Sequence, residues 1–242
     1  MYPIYLQVCA GLANRLRATV SGICGAEDLG RSIVISWPRE HTFSAVWTDL
    51  FESIEHSAVT MIADDQSPKL RMCLSPQDWD TQDRTTINIK SYGHFHQTDE
   101  ARWLSHLRCI KPKAVYTKQV DNLFQGRNMV GVHIRRTDHA HSIRRSPTSA
   151  FCDAMDEYPP TTLFYIATDD EQERQKIEAA FPGRCISQRA PLNRSTLAGI
   201  QGGLVDFLAL ARCSEILGSF ASSFSEMAAA YGSVPLRVIQ AP

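Results

Sequence analysis

The sequence predicts an α/β fold in two halves, and three observations carry this prediction. Short apolar segments of strand length alternate with segments whose apolar residues recur at helical spacing. No internal repeat or low-complexity tract interrupts this alternation. The composition is that of a folded globular chain, since 43% of the 242 residues are hydrophobic and 21% are charged. Together these features favour strands covered by helices, arranged in sequence as repeated β-α units.

The first half opens with a βαβ unit. The segment at 16–30 predicts a helix because Leu16, Val20 and Ile23 recur at helical spacing. Flanking this helix, the sequence predicts a strand IYLQVC at 4–9, a turn AGLANR containing Gly11, and a strand SIVISW at 32–37. Further along it predicts a polar loop from Pro68 to Asp83, a strand entering a histidine-rich loop at 86–95, and a helix at 99–110.

A polar segment at 112–128 predicts the boundary between the halves, so we expect domains at 1–115 and 116–242. The second half repeats the alternation, beginning with the apolar run MVGVHIRR. It continues with a helix near 148–156, the strand LFYIATDD, a helix at 171–181, and the segments DFLALARC, SEILGS, SFSEMAAAYG and PLRVIQ.

Charge and cysteine content exclude several classes of function. Lys and Arg number 25 against 26 Asp and Glu, so no overall positive field exists to recruit nucleic acid or anionic lipid. The N-terminus lacks a leader pattern, and no run approaches the roughly 18 apolar residues of a membrane span. Seven scattered cysteines without a CxxC pair indicate reduced thiols. We therefore expect a cytoplasmic protein without a membrane span.

The segment VGVHIRRTDHAH at 130–141 ends an apolar strand in concentrated positive charge. Side chains alternate along a strand, so His133 and Arg135 share one face while Arg136 points the opposite way and is placed to support the loop. Ligands of open parallel sheets bind beyond the strand carboxyl ends, and an arginine fork suits phosphate oxygens. Asp138 is placed to hold an arginine or to cap the next segment. The alternative is a structural ion pair among the arginines and Asp138, with His133 as an interior histidine.

Two other segments end in groups suited to a nucleotide. Asp169 and Asp170 follow the strand LFYIAT; they predict either helix capping or a contact with a guanine edge or ribose. Ser222 and Ser223 begin a helix after small residues, where hydroxyls and N–H groups suit a phosphate, a simple Ser N-cap being the alternative. The chain contains neither a P-loop nor a GxGxxG segment, which argues against ATPases and dinucleotide-dependent dehydrogenases.

These motifs resemble those of the GDP-fucose-dependent fucosyltransferases, a superfamily that includes nodulation, core α1,6-, α1,2- and protein O-fucosyltransferases. The segment HIRRTD at 133–138 is similar to the family's HxRRxD signature, and FYIATDD and GSFASSFSEMA are similar to its second and third motifs. AGLANRLRA at 10–18 is similar to its N-terminal segment, and SYGHFHQTDEARW at 91–103 to a stretch of the α1,2 members. The resemblance covers most of the chain.

The resemblance implies a GT-B-like fold, in which two Rossmann-like halves enclose a nucleotide-sugar cleft. It further implies an inverting, metal-independent transfer of a sugar, fucose in this family, from a GDP-sugar to an unidentified acceptor hydroxyl, without a cofactor. Arg135 and Asn14 would be catalytic, with Arg135 on the β-phosphate and Asn14 facing the sugar and acceptor across the cleft. The residues implied to bind the nucleotide sugar are His133, Arg136, Asp138, one of Asp169 and Asp170, Ser222, Ser223, Phe224, Gly11 and Ala13.

Three positions depart from the usual family pattern, since Ala13 replaces the usual glycine, Arg15 the commoner glutamine, and His139 the lysine of α1,6 members. The acceptor and its linkage therefore stay open. Two alternatives also stay open: a GDP-binding module without turnover, and a transferase that uses another GDP-sugar. The DWD segment at 78–80 is interpreted as a structural loop rather than a metal site, because a metal needs oxygen ligands clustered near the phosphates. Asp99 and Glu100 are candidate bases by location only.

Overall fold

The computed structural model of the protein describes residues 2–63, 70–78, 87–137 and 140–241. The chain forms two compact units, one of Met1–Lys113 with Arg194–Ile200, the other of Ala114–Asn193 with Gln201–Pro242. The sequence prediction kept residues 194–200 with the second half, whereas in the structure they belong to the first unit. One of their contacts there is a hydrogen bond at 3.3 Å from the main-chain N–H of Ser44 to the carbonyl of Arg194. The resemblance also implies that the half at 1–115 forms the acceptor side and the half at 116–242 binds the GDP-sugar, and this assignment stays a prediction.

The first unit contains a parallel sheet with the strand order β3-β2-β1-β5-β4. Leu6 of its central strand lies in register with Ile35 and Ile89, and all three side chains are buried. The described elements are β1 Ile4–Val8, α1 Leu12–Asp28, β2 Ile33–Ser36, α2 Trp47–Leu50, β3 Val59–Ile62, β4 Arg71–Met72, β5 Ile87–Ser91 and α3 Glu100–Cys109.

Two expectations for this unit were wrong. Helix α1 begins at Leu12 rather than after a turn at 10–15, because Gly11 serves as the N-cap and Leu12 and Leu16 already bury the helix face. The polar segment from Pro68 to Asp83 is not all loop, since β4 pairs with β5, Arg71 lying opposite Ile89. Within that segment, residues 68–69 and 79–83 lie outside the described ranges.

The second unit contains another parallel sheet, with the strand order β10-β9-β6-β7-β8. Its central strand β6 is buried along its whole length. The elements from Ala114 onward are α4 Ala114–Phe124, β6 Met129–Ile134, α5 Ala140–Arg145, α6 Thr148–Asp156, β7 Leu163–Thr168, α7 Glu171–Ala180, β8 Cys185–Ile186, α8 Leu197–Arg212, β9 Ile216–Ser219, α9 Ser223–Gly232 and β10 Leu236–Ile239.

Alternation along β6 divides its side chains as the sequence predicts. Val130, Val132 and Ile134 join a buried cluster that includes Phe151 of α6 and Ile177 of α7. The segment 112–128, however, is not a polar linker, because α4 occupies most of it. Its buried residues Tyr116, Val120 and Phe124 recur every four residues, a helical spacing that the polar residues between them obscured.

Candidate active site

The carboxyl ends of β6, β7 and β9 meet at one edge of the second sheet. His133 pairs with Ala167 of β7 and with Gly218 of β9, so the three strands end almost level. The segments that follow them, 135–137, 169–170 and 220–222, therefore share this edge, where open parallel sheets bind their ligands.

His133 connects β6 to helix α9. Its Nδ1 is hydrogen-bonded with the Ser225 hydroxyl at 2.7 Å and lies 3.4 Å from the Ser222 hydroxyl. Its ring lies against Phe224, with 4.9 Å between centroids. Gly218 makes this approach sterically feasible, since a Cβ there would lie 2.7 Å from the Cβ of Ser225. The structure thus places His133, Ser222 and Phe224, three of the predicted site residues, next to one another.

The backbone of Arg135 is fixed on both sides of its Cα. Its N–H donates to the Ser219 hydroxyl at 3.0 Å, and that hydroxyl donates in turn to the His133 carbonyl at 3.2 Å. Its carbonyl accepts a hydrogen bond from Nη1 of Arg136 at 2.9 Å. The Arg135 residue itself is partly exposed at the end of the strand. The sheet thus presents Arg135 from a rigid main chain.

Arg136 lies in a buried polar cluster beside helices α6 and α7. Its Nη2 is 2.8 Å from Oε1 of Glu173, in an ion pair whose side chains are only 10% and 4% exposed. Nη2 also donates to the Thr148 hydroxyl at 3.3 Å. These contacts favour the interpretation that Arg136 stabilises the loop after β6. They give no evidence for the predicted contact of Arg136 with the nucleotide sugar.

Asp169 and Asp170 have different local partners. The Asp169 carboxylate accepts hydrogen bonds from the main-chain N–H of Arg136 at 2.7 Å and from the Thr137 hydroxyl at 2.7 Å, so it holds the loop after β6. Asp170 is the N-cap of α7, and its Oδ1 accepts from the N–H of Glu173 at 2.9 Å. Asp170 therefore caps α7, as one of the two alternatives predicted, whereas a guanosine contact of either carboxylate stays a prediction.

The β9–α9 turn carries the serines that the sequence singled out. Ala221 adopts a left-handed conformation with φ of 52°, which an L-residue rarely adopts outside constrained turns. Ser222 is the N-cap residue of α9, as the alternative predicts, but its side chain forms no capping hydrogen bond. Ser223 and Phe224 are partly exposed. The N–H groups of the first helical turn, which have no acceptor within the helix, lie at this edge of the sheet.

Two sequence predictions fall partly or wholly outside the described ranges. Asp138 and His139 are not described, so an ion pair of Asp138 with either arginine is untested. Of the DWD segment only Asp78 is described; its carboxylate accepts from the main-chain N–H groups of Leu74 and Ser75, both at 3.0 Å. These hydrogen bonds lower the pKa of Asp78. Within the described ranges, no group of three or more His, Cys, Asp or Glu residues is arranged to hold a metal ion.

The N-terminal candidates lie at the carboxyl end of β1 in the first unit. Gly11 caps α1, and a Cβ there would have no atom within 4 Å. Asn14 is partly exposed in the first turns of that helix, whereas Ala13 is buried with 3% exposure. Ala13 thus belongs to the helix packing, and Asn14 is the candidate whose side chain reaches the surface.

Arg15, at the position where the fucosyltransferase segment more often has glutamine, is a buried anchor. Its Nε donates to the carbonyl of Ala10 at 2.8 Å and its Nη2 pairs with Glu40 at 2.7 Å. The guanidinium stacks 4.3 Å from the ring centroid of Phe43. Burial lowers the pKa of Arg15 to about 10, although Glu40 opposes that shift. Arg15 therefore ties the loop after β1 to the loop after β2.

One buried acid was not among the residues predicted from the sequence. Asp206 in α8 accepts hydrogen bonds from the Tyr165 hydroxyl at 2.7 Å and from Nε2 of Gln188 at 3.1 Å. Burial raises its pKa to about 6, while the hydrogen bonds from Tyr165 and Gln188 lower it. The sequence feature that indicates its burial is that it is the only charged residue within the apolar run LVDFLALA.

Comparison with known proteins places this geometry in a known fold. No protein-family model and no curated protein sequence matches the chain. Among solved structures, NodZ α1,6-fucosyltransferase soaked with GDP-fucose matches with a TM-score of 0.71 at 20% identity, covering 99% of this chain and 95% of that chain. The chain has the GT-B-like fold of the fucosyltransferases.

Two further structures with this fold are more distant in sequence. POFUT1 in complex with GDP matches with a TM-score of 0.66 at 10% identity, covering 98% of each chain. A variant of Arabidopsis thaliana FUT1 in complex with GDP matches with a TM-score of 0.66 at 10% identity, covering 100% of this chain and 71% of that chain. The predicted fold class and the resemblance behind it are confirmed at the level of the fold. Separately, none of the helices in the described ranges is long and apolar enough to span a membrane.

Proposed function

We propose that the protein is an inverting, metal-independent glycosyltransferase that moves fucose from GDP-fucose to an acceptor hydroxyl. The observation that carries this proposal is the meeting of Arg135, His133 and the N-terminus of α9 at one sheet edge, within the fold of NodZ and POFUT1. These groups are suited to a diphosphate, because guanidinium and helix N–H groups both bind phosphate oxygens.

The chemistry follows from where charge develops. As the bond between fucose and GDP breaks, negative charge grows on the β-phosphate while the sugar becomes oxocarbenium-like. Arg135, with its main chain fixed by Ser219 and Arg136, would stabilise that charge more in the transition state than in the ground state. Ser222, Ser223 and Phe224 would line the phosphate end, and Asn14 would contact the sugar and the acceptor, as the resemblance implies.

Asp170 and His133 are the proposed guanosine contacts. Oδ1 of Asp170 caps α7, but its Oδ2 forms no hydrogen bond within the described ranges and so is the better acceptor for guanine or ribose. Asp169, by contrast, uses both oxygens to hold the Arg136–Thr137 loop. A cytoplasmic location and independence of any cofactor belong to the same proposal; the seven cysteines, all of them described and free, agree with a reducing compartment.

A nucleotide panel tests this proposal. We expect GDP to raise the melting temperature, at about 100 times its Kd by the equivalent of roughly 2.7 kcal/mol, and UDP, ADP and CDP to raise it much less. Turnover is then measured as release of GDP from GDP-fucose and GDP-mannose in the presence of candidate oligosaccharide and peptide acceptors. Equal shifts with all four nucleotides would contradict the guanosine contacts. GDP binding without release from either sugar would instead favour a binding module.

A further inference from the structure

We propose that Glu173 is a positioning residue for the transfer, acting on Arg135 through Arg136. This inference rests on the proposed function, in which Arg135 contacts the β-phosphate. Glu173 lies in the first turn of α7, outside every motif singled out in the sequence, and is 3% exposed. Its role follows from what its carboxylate holds.

Glu173 is the acceptor at the centre of a buried polar cluster. Its Oε1 accepts from Nη2 of Arg136 at 2.8 Å and from the Thr148 hydroxyl at 2.5 Å. Lys176, 64% exposed, lies 3.9 Å from Oε2. Burial of a charged pair costs free energy that apolar residues of similar size would not, so packing α7 against α6 does not by itself require this pair. The geometry of Arg136 supplies a reason for it.

The ion pair orients the Arg136 guanidinium toward the main chain. With Nη2 held by Glu173 and Thr148, Nη1 donates to the carbonyl of Arg135 at 2.9 Å. The main-chain N–H of Arg136 is held at the same time by Asp169 at 2.7 Å. The peptide between the two arginines therefore has both polar groups fixed by side chains. Displacement of this peptide by about 1 Å would misplace Arg135 and cost up to about 10²-fold in rate.

The test compares Glu173→Gln with Glu171→Gln, a matched change on the same helix. Glu171 pairs with Arg174 and, at 3.8 Å, with Arg189, and contacts no residue of the 135–137 loop in the described ranges. In Glu173→Gln one oxygen remains to accept a hydrogen bond, but the charge that orients Arg136 is lost. We expect its kcat with GDP-fucose to fall about 10-fold, with KM for GDP-fucose changed less than about 3-fold. Glu171→Gln should leave both unchanged.

A second readout does not depend on turnover. Amide hydrogen exchange at residues 135–137, measured well below the melting temperature, should be faster in Glu173→Gln than in Glu171→Gln. Thr148→Ala removes one hydrogen bond to Glu173 without burying a new polar group, and should give a smaller change of the same kind if Glu173→Gln fails to fold. Arg135→Ala combined with Glu173→Gln should be no slower than Arg135→Ala alone, since both act through one group.

The outcomes separate the two proposals. If Glu173→Gln lowers only the melting temperature, with kcat and loop exchange unchanged, then Glu173 is structural and the inference is wrong. Additive losses in the double variant would also overturn it. If the wild-type protein neither binds GDP nor releases it from GDP-fucose, the proposed function fails. In that case exchange at 135–137 alone decides whether Glu173 holds the Arg135 main chain.

Discussion

Arg135 and Arg136 are adjacent in sequence, yet they lie in different surroundings in the structure. Arg136 is committed to Glu173 and Thr148 on the α6–α7 side of the sheet. Alternation along the strand predicted this division. It did not predict the partner of Arg136, because Glu173 follows it by 37 residues and only the parallel pairing of β6 with β7 brings the two together.

Substitution of Arg135 tests the division directly. Arg135→Ala should lower kcat with GDP-fucose by about 10² to 10³, the usual loss for one pre-organised transition-state donor. Arg135→Lys should recover little, because an ammonium group does not reproduce the two-pronged guanidinium fork. The measurement is steady-state kcat and KM together with the melting temperature of each variant.

Arg127→Ala is the matched control for that experiment. Arg127 precedes the same strand, at its opposite end, where its side chain donates to the carbonyls of Leu123 and Phe124. It should retain normal turnover. Near-normal turnover of Arg135→Ala would remove Arg135 from the chemistry and leave the charge of HIRR with a structural role.

Asp206 gives the second prediction at the residue scale. Its folded-state pKa of about 6 lies above the usual 3.8 of an aspartate. Its contribution to stability is therefore fully present below about pH 4 and is lost as the pH rises through about 6. Asp206→Asn keeps both hydrogen bonds, since its oxygen accepts from Gln188 and its amide donates to the Tyr165 hydroxyl. The free energy of unfolding of this variant, from urea titrations at pH 5 and pH 8, should change less with pH than that of the wild type.

Two other substitutions control for this pH effect. Tyr165→Phe removes one hydrogen bond to Asp206 but keeps the acid, so its pH dependence should persist or grow. An Asp206→Asn variant with the same pH dependence as the wild type would show that other groups titrate in this range. The hydrogen-bond partners of Asp206 were not predictable from α8 alone, because Tyr165 and Gln188 come from separate segments of the chain.

At the scale of elements, helices α1 and α3 of the first unit are joined by a charged cluster. Arg102 of α3 pairs with Glu27 at 2.6 Å and with Asp28 at 2.5 Å. His56 and His106 lie 2.9 and 3.0 Å from the Glu27 carboxylate. The third histidine of the cluster, His96, lies beside Asp28. The cluster connects α1, α3 and the loops that follow α2 and β5.

Acid should weaken this connection. Burial alone would raise the pKa of Glu27, but hydrogen bonds from Arg102, His56 and His106 lower it, and hydrogen bonds from His96 and Arg102 lower that of Asp28. Carboxylates with lowered pKa stabilise the fold above their unfolded-state values and lose this effect as the pH falls through the folded values. The melting temperature of the wild type should thus exceed that of Arg102→Met at pH 7, and the difference should shrink below about pH 4.

Arg108→Met, on the same helix, provides the comparison, since Arg102 is the arginine that pairs with Glu27 and Asp28. The difference in melting temperature between Arg108→Met and the wild type should vary less with pH than that of Arg102→Met. The sequence predicted a helix at 99–110, and α3 runs over Glu100–Cys109 with Asp99 as its N-cap. It missed α4 entirely, because three buried residues at four-residue spacing stand among polar ones and the segment reads as a linker.

At the scale of the whole molecule, the α/β class was predictable and the strand order was not. Alternating strand and helix patterns, each with a local periodicity, were enough to predict sheets covered by helices. The order of strands depends on long-range pairing, such as β1 between β2 and β5, which no local pattern encodes. The sheet edge that carries the candidate site was predictable from the class alone, because parallel strands bring their carboxyl ends to one edge whichever order they take.

Leaving-group stabilisation by the protein's own charges gives the last prediction. Arg135 and the N–H groups of the first turn of α9 supply positive potential at the sheet edge proposed to bind the diphosphate. We therefore expect GDP release from GDP-fucose to persist at an unchanged rate in excess EDTA. Addition of Mg²⁺ or Mn²⁺ should change kcat by less than about 2-fold, a difference of roughly 0.4 kcal/mol in the activation free energy. Arg135→Ala should stay slow with or without added metal, since no group of three or more His, Cys, Asp or Glu residues in the described part of the chain is arranged to hold a divalent ion in place of the guanidinium. Loss of turnover in EDTA, restored by Mn²⁺, would overturn this account and direct the search for ligands to Asp78 and its neighbours in DWD.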